Sequence, residues 1–139
     1  MEYKRFGDTL VVRMDPGEEI LEQVKAVAQK ERIALASIQA LGAVKEFTAG
    51  VFDLEKKQFL PRDYTGTFEI VSLTGTIDSM GGDFYCHLHM SAADKTGQVF
   101  GGHLNRAVVS ATCEMVITCI PGRVDRRRDE AIGLNLFQF

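Results

Sequence analysis

The chain lacks the features that mark several common protein classes. It has no excess of basic charge: 16 lysines and arginines stand against 19 aspartates and glutamates, a formal net charge of −3. Its pI of about 5.6 agrees. Polyanion binders usually show a basic patch and a high pI, so direct DNA binding by this chain is not expected. Cysteine is sparse. Cys86, Cys113 and Cys119 make an odd count without Cys-x-x-Cys spacing, each inside an apolar run. They read as small buried side chains in a reducing compartment. The N-terminus, MEYKRFGDTL, has no uninterrupted apolar stretch of the signal-peptide kind. No window approaches the roughly 20 apolar residues of a membrane span. A soluble, cytoplasmic protein without membrane partners is the expectation. Phosphate loops, GxGxxG fingerprints and Ser-His-Asp arrangements are absent, as are repeats, low-complexity tracts and linkers.

What remains is an ordinary globular composition, 45% hydrophobic and 25% charged over 139 residues. That suits a single domain, 1–139, around one core. Residues 3–14 read as a strand or hairpin with a turn at Gly7-Asp8. A helix is predicted over about 16–31, with Asp15 as N-cap, Pro16 at the first helical position and Glu18 three residues after the cap. Ile20, Leu21, Val24, Val27 and Ala28 form its apolar stripe. Strand-like segments follow at 36–54, 66–77, 83–92, 98–104 and 107–120, the last ended by Pro121-Gly122. The basic run Arg126-Arg127-Arg128 lies between Asp125 and Asp129, ahead of an apolar tail, GLNLFQF. One helix followed by many strands predicts an α+β fold, a largely antiparallel sheet with the helix on one face.

Histidine is few in number and confined to one stretch. The chain has three, His87, His89 and His103, all within FYCHLHMSAADKTGQVFGGHL. Successive strand side chains point to opposite faces. Over 84–91 the even positions, Phe84, Cys86, Leu88 and Met90, are apolar. His87 and His89 therefore share the opposite face. A three-residue turn, Lys95-Thr96-Gly97, with glycine in the left-handed region, pairs Asp94 with Gln98 and sets His89 opposite His103. Phe100 and Leu104 then fall on the apolar face. A two- or four-residue loop would drive His103 into the core, which the apolar pattern rejects. Three imidazoles at such separations can converge on one cation with bonds of about 2.0–2.1 Å, leaving a fourth position for water or a ligand. Imidazole also suits copper, iron and nickel, but zinc fits without redox demands. Because protonated imidazole cannot ligate, metal release is expected as pH falls through about 6.5. The competing reading is a polar inter-subunit face or a hydrogen-bonded histidine cluster.

Other polar residues join the candidate site. Glu114 shares the histidine face if its strand pairs beside the hairpin, as an orienting carboxylate, a general base or a solvated glutamate. Glu69 is placed on the face of Val71 and Leu73, an unusual setting for a glutamate. Arg106 is the nearest cation for an anionic small-molecule ligand, or a surface arginine. Gly101 and Gly102 would allow close approach to the backbone beside His103. Cys86 points away from His87 and is a poor nucleophile.

The segments PGEEILEQVKAVAQKERI, IQALGAVKEFTAGVFD, GTFEIVSLTGTI, HLHMSAADKTGQVFGGHL and AVVSATCEMVI together resemble the PPC domain, conserved between plants and prokaryotes. HLH followed at this distance by GGHL is the specific part, and the likeness covers nearly the whole chain. The resemblance implies a homotrimer built on an antiparallel sheet with flanking helices. It also implies a metal site at His87, His89 and His103. Plant members carry AT-hooks, whose Arg-Gly-Arg-Pro-type core is absent here. Two functions follow: a metalloprotein with a zinc site for ligand binding or for hydrolytic or lyase chemistry, and a trimeric interaction module associated with transcription.

Overall fold

The opening hairpin forms as expected. β1 (Glu2–Phe6) and β2 (Thr9–Met14) pair with Phe6 opposite Thr9, so Gly7-Asp8 is a two-residue turn with Gly7 at φ 59°. Alternate residues of β2, Leu10, Val12 and Met14, are buried, the period-2 pattern of a half-buried strand. The computed structural model describes all 139 residues, as one helix and eight strands.

The helix α1 spans Ile20–Glu31, beginning later than the predicted 16. Gly17 takes φ 89°, outside the helical region. Its N–H donates to the Val109 carbonyl, and the Val109 N–H donates to the Glu18 carbonyl. The Asp15 N–H donates to the Glu18 carboxylate. Asp15–Glu18 is thus a turn stitched to a later strand. Glu19 replaces Asp15 as N-cap, its carboxylate accepting from the Glu22 N–H at 2.8 Å. At the other end Arg32 is left-handed, φ 54°, and Ile33 N–H donates to Ala28 O at 2.9 Å. Ile20, Val24, Val27 and Ala28 are buried as the stripe predicts.

The remaining strands are β3 (Ala36–Asp53), β4 (Gln58–Met80), β5 (Asp83–Asp94), β6 (Val99–Cys119), β7 (Asp125–Asp129) and β8 (Leu134–Gln138). Two are longer than their sequence patterns suggest. β4 extends back through Pro61, where only β3 pairs with it; on such an edge the missing N–H costs no ladder bond. Segments 98–104 and 107–120 are one strand, because a bulge at Asn105, between the Ala49–Leu104 and Thr48–Arg106 pairs, absorbs the polar break. A second bulge, at Val71, separates it from Leu73: Val71 is exposed and Leu73 buried. Glu69 is exposed too, so it poses no burial problem.

The sheet runs β1-β2-β6-β3-β4-β7-β8, and β5 bridges β4 and β6, closing β6-β3-β4-β5 on itself. All pairings are antiparallel except the short β4–β7 contact. Twenty-five buried residues from the inner sheet face and α1 form one core. This is the predicted α+β arrangement. The basic run and apolar tail, unassigned from sequence, make the β7–β8 hairpin, which joins the outer face at the end of β4.

Candidate metal centre

The histidine hairpin has the predicted register. His89 lies opposite His103, Met90 opposite Gly102 and Ala92 opposite Phe100. Asp94 and Gln98 close the Lys95-Thr96-Gly97 turn, with Asp94 N–H donating to Gln98 O at 2.9 Å and Gly97 at φ 85°. The Asp94 carboxylate also accepts from the Thr96 and Gln98 N–H groups at 2.8 and 3.1 Å. On β4, Thr76 faces His87 and Thr74 faces His89; on β3, Gly50 faces His103. The closure of the ring therefore falls at His103, which pairs with β3 and β5 at once.

Directly paired residues project to one face, so the three rings converge. Their centroids are 5.1 Å apart for His87–His89, 4.9 Å for His87–His103 and 5.6 Å for His89–His103. One nitrogen from each lies within 4.8 Å of the others. Tetrahedral zinc with 2.0–2.1 Å bonds needs nitrogens roughly 3.3 Å apart, a gap that small ring rotations close. The residues present fit a divalent cation. Phe59 packs edge-on against His103, centroids 5.5 Å apart, and supports one side of that ring.

Burial and nearby charge favour the neutral form of two of these rings. His87 is pushed down to about 4, by burial first, then by His103, Arg126 and His89, with Asp78 opposing. His103 is lowered by burial and by His89. A neutral imidazole is the form that ligates.

The β7–β8 hairpin makes the open sheet face into a walled cleft of about 710 Å³. Arg126 holds that wall. Its Nε donates to Asp78 Oδ1 at 2.6 Å, its Nη2 to Asp78 Oδ2 at 2.9 Å and its Nη1 to Asn135 O at 2.9 Å. The guanidinium lies between Tyr85 and Phe137, 4.9 and 4.1 Å from their centroids. Thr76 Oγ1 donates to Asp78 Oδ2 at 2.7 Å, and Asn135 Nδ2 donates to Tyr85 Oη at 3.3 Å. This buried pair went unseen in the sequence. The signal was there only in part: a run of three arginines in which one is buried among its neighbours' solvated ones.

Not every sequence candidate joins the histidines. Glu114 does not. It pairs with Arg13 of β2 and Leu41 of β3; eleven residues along β6 from His103, at about 3.3 Å each, it is tens of Å away. The expected histidine-orienting carboxylate or general base is not Glu114, because β6 is one long strand rather than two neighbouring ones. Arg106 is committed to Glu46, Nη2 to Oε1 at 2.8 Å, and does not line the cleft. Arg126 and Arg128 stand in its place. Gly102 lines the cleft, but its bare Cα serves strand packing: at φ 146° a Cβ would collide with the Gly50 carbonyl. A Cβ at Gly101 would collide with the Met90 carbonyl in the same way. Cys86 is pushed up to about 12, chiefly by burial, consistent with an inert thiol.

Comparison with known proteins places this geometry in context. A candidate DNA-binding protein from Bacteroides thetaiotaomicron is 29% identical, with a TM-score of 0.96 over 99% of this chain and 96% of that one. A metal-containing protein from Archaeoglobus fulgidus is 31% identical, with a TM-score of 0.90 over 99% and 97%. A plant- and prokaryote-conserved protein from Pyrococcus horikoshii is 30% identical, with a TM-score of 0.87 over 99% and 94%. The bifunctional protein GlmU of a Synechococcus strain is 27% identical over 125 residues, 88% of this chain and 18% of that protein. The chain thus spans about a fifth of the length of the curated relatives it matches. The Plants and Prokaryotes Conserved (PCC) domain model matches residues 1–121. With its single helix, largely antiparallel sheet and HLH and GGHL segments, this chain belongs to the Plants and Prokaryotes Conserved domain family.

Proposed function

We propose that this chain is a small metal-binding protein in which His87, His89 and His103 hold one divalent cation, zinc, with a fourth coordination position facing the cleft. The carrying observation is the convergence of three ring nitrogens within 4.8 Å on one sheet face. The depressed pKa values of His87 and His103 support it, as does a metal-containing relative at 31% identity. Zinc is favoured because three neutral imidazoles match its tetrahedral demand and leave one position free. A bound zinc would supply Lewis acidity, polarising a carbonyl or acidifying a water. Tyr85, Asn105 and Asn135 line the same cleft and would orient what binds there. Elemental analysis of purified protein tests this reading: about one metal per chain is expected, and its loss in His87→Ala, His89→Ala and His103→Ala. Metal content unchanged in all three variants overturns it.

A second reading, a DNA-associated interaction module, is favoured by the name of the Bacteroides relative. The charge opposes direct contact with DNA. Net charge is −3, and within the only basic run Arg126 is buried on Asp78.

A further inference from the structure

We propose that the ligand of this cleft is a small organic carboxylate with an apolar body, its charge answered by the metal and by Arg128. The inference rests on the metal reading above and names the class of molecule that the fourth position takes.

The cleft is lopsided in charge. Its sixteen lining residues include two arginines and three histidines but no aspartate or glutamate, although the chain is acidic overall. Arg126 is already neutralised by Asp78 and engaged at Nε, Nη1 and Nη2. Arg128 is not. It sits two residues along β7, on the same face, and its only ionic partner is the exposed Glu130 at 3.6 Å. A divalent ion on three neutral imidazoles carries two uncompensated charges. Nothing on the cleft wall offsets them, so the incoming molecule brings the negative charge.

The remaining wall sets its shape. Val51, Phe52, Phe59, Leu134 and Leu136 line the cleft, which selects for an apolar body rather than an inorganic ion. Phosphate is the less suited anion. Phosphate sites typically use a helix N-terminus or a nest of backbone N–H groups. The only helix begins at Ile20, and none of its residues reaches this cleft. A guanidinium fork takes a carboxylate with two parallel hydrogen bonds, and the apolar wall around it favours an organic body over bare phosphate.

The test uses the full chain loaded with Co²⁺, whose visible spectrum reports its coordination, and titrates acetate, 2-methylpropanoate, benzoate and the neutral isostere benzamide. Metal uptake is measured first on the same samples. Benzoate and 2-methylpropanoate should perturb the cobalt spectrum and bind more tightly than acetate, while benzamide does not bind. Arg128→Gln should weaken benzoate by about tenfold, the scale of one charge-assisted hydrogen bond. Arg106→Gln, at the surface pair with Glu46, should not. Benzamide binding as tightly as benzoate, no spectral response to any carboxylate, or equal benzoate affinity in Arg128→Gln each overturns the inference while leaving the metal reading intact. Failure to take up metal sinks both.

Discussion

At the residue scale the histidine cluster shows which properties are local enough to read in advance. The parity of His87, His89 and His103 follows from period-2 alternation and one turn, all within the same stretch of chain, and the register agrees to the residue. Their acid–base behaviour does not follow so simply. An ordinary histidine titrates near 6.5, which places metal release there. Burial, with His103, Arg126 and His89 adding to it, instead holds His87 at about 4. Between those values the unfolded chain binds a proton that the native His87 refuses. Stability of the metal-free protein should therefore fall as pH drops from about 6.5 toward 4, because the unfolded state binds more protons there. The same shift moves proton competition for the metal downward, so half-release should come below pH 6.5. A zinc-indicator titration against pH checks this; release centred at or above 6.5 would contradict it.

At the scale of elements, the sequence patterns of the β1–β2 and β5–β6 hairpins and of the body of α1 are readable, whereas long-range joins are not. Asp15 and Pro16 have the chemistry of a helix start, yet the hydrogen bonds between Gly17, Glu18 and Val109 turn that segment into a stitch to β6. Val109 is remote in sequence, so no local rule announces it. The bulge at Asn105 likewise merges two apparent strands and carries Glu114 away from the site. The clearest case is β7–β8, whose role depends on Asp78, distant in sequence from Arg126. Asp78→Ala should leave the Arg126 guanidinium buried without its partner, at a cost of about 3 kcal/mol or more. Urea unfolding monitored by circular dichroism measures it. A loss under about 1 kcal/mol would mean that the pair is not what holds this hairpin on β4.

At the scale of the whole molecule, the outer face of the sheet keeps exposed apolar side chains. Val11, Leu41, Val71 and Val116 are 47, 59, 59 and 42% exposed, and Val11 lies directly opposite Val116. Such a face suits association with further copies, as the homotrimer implied by the family resemblance would require. The same molecule, at a net charge of −3, should bind duplex DNA no better than weakly. A gel-shift or anisotropy titration at physiological salt checks that; sub-micromolar affinity with a steep negative salt slope would contradict it. Nothing in the apolar pattern of a single chain specifies how copies meet, so the trimer is an expectation that rests on family resemblance alone. Native mass spectrometry reads assembly and metal together, and it is the most direct test of the three-histidine centre. The expected species has three times the 15.4 kDa chain mass plus one zinc ion per chain, and His103→Ala should keep the assembly but lose the metal. A metal-free wild-type assembly under zinc-replete conditions, or a His103→Ala variant that retains its full metal content, would contradict the account.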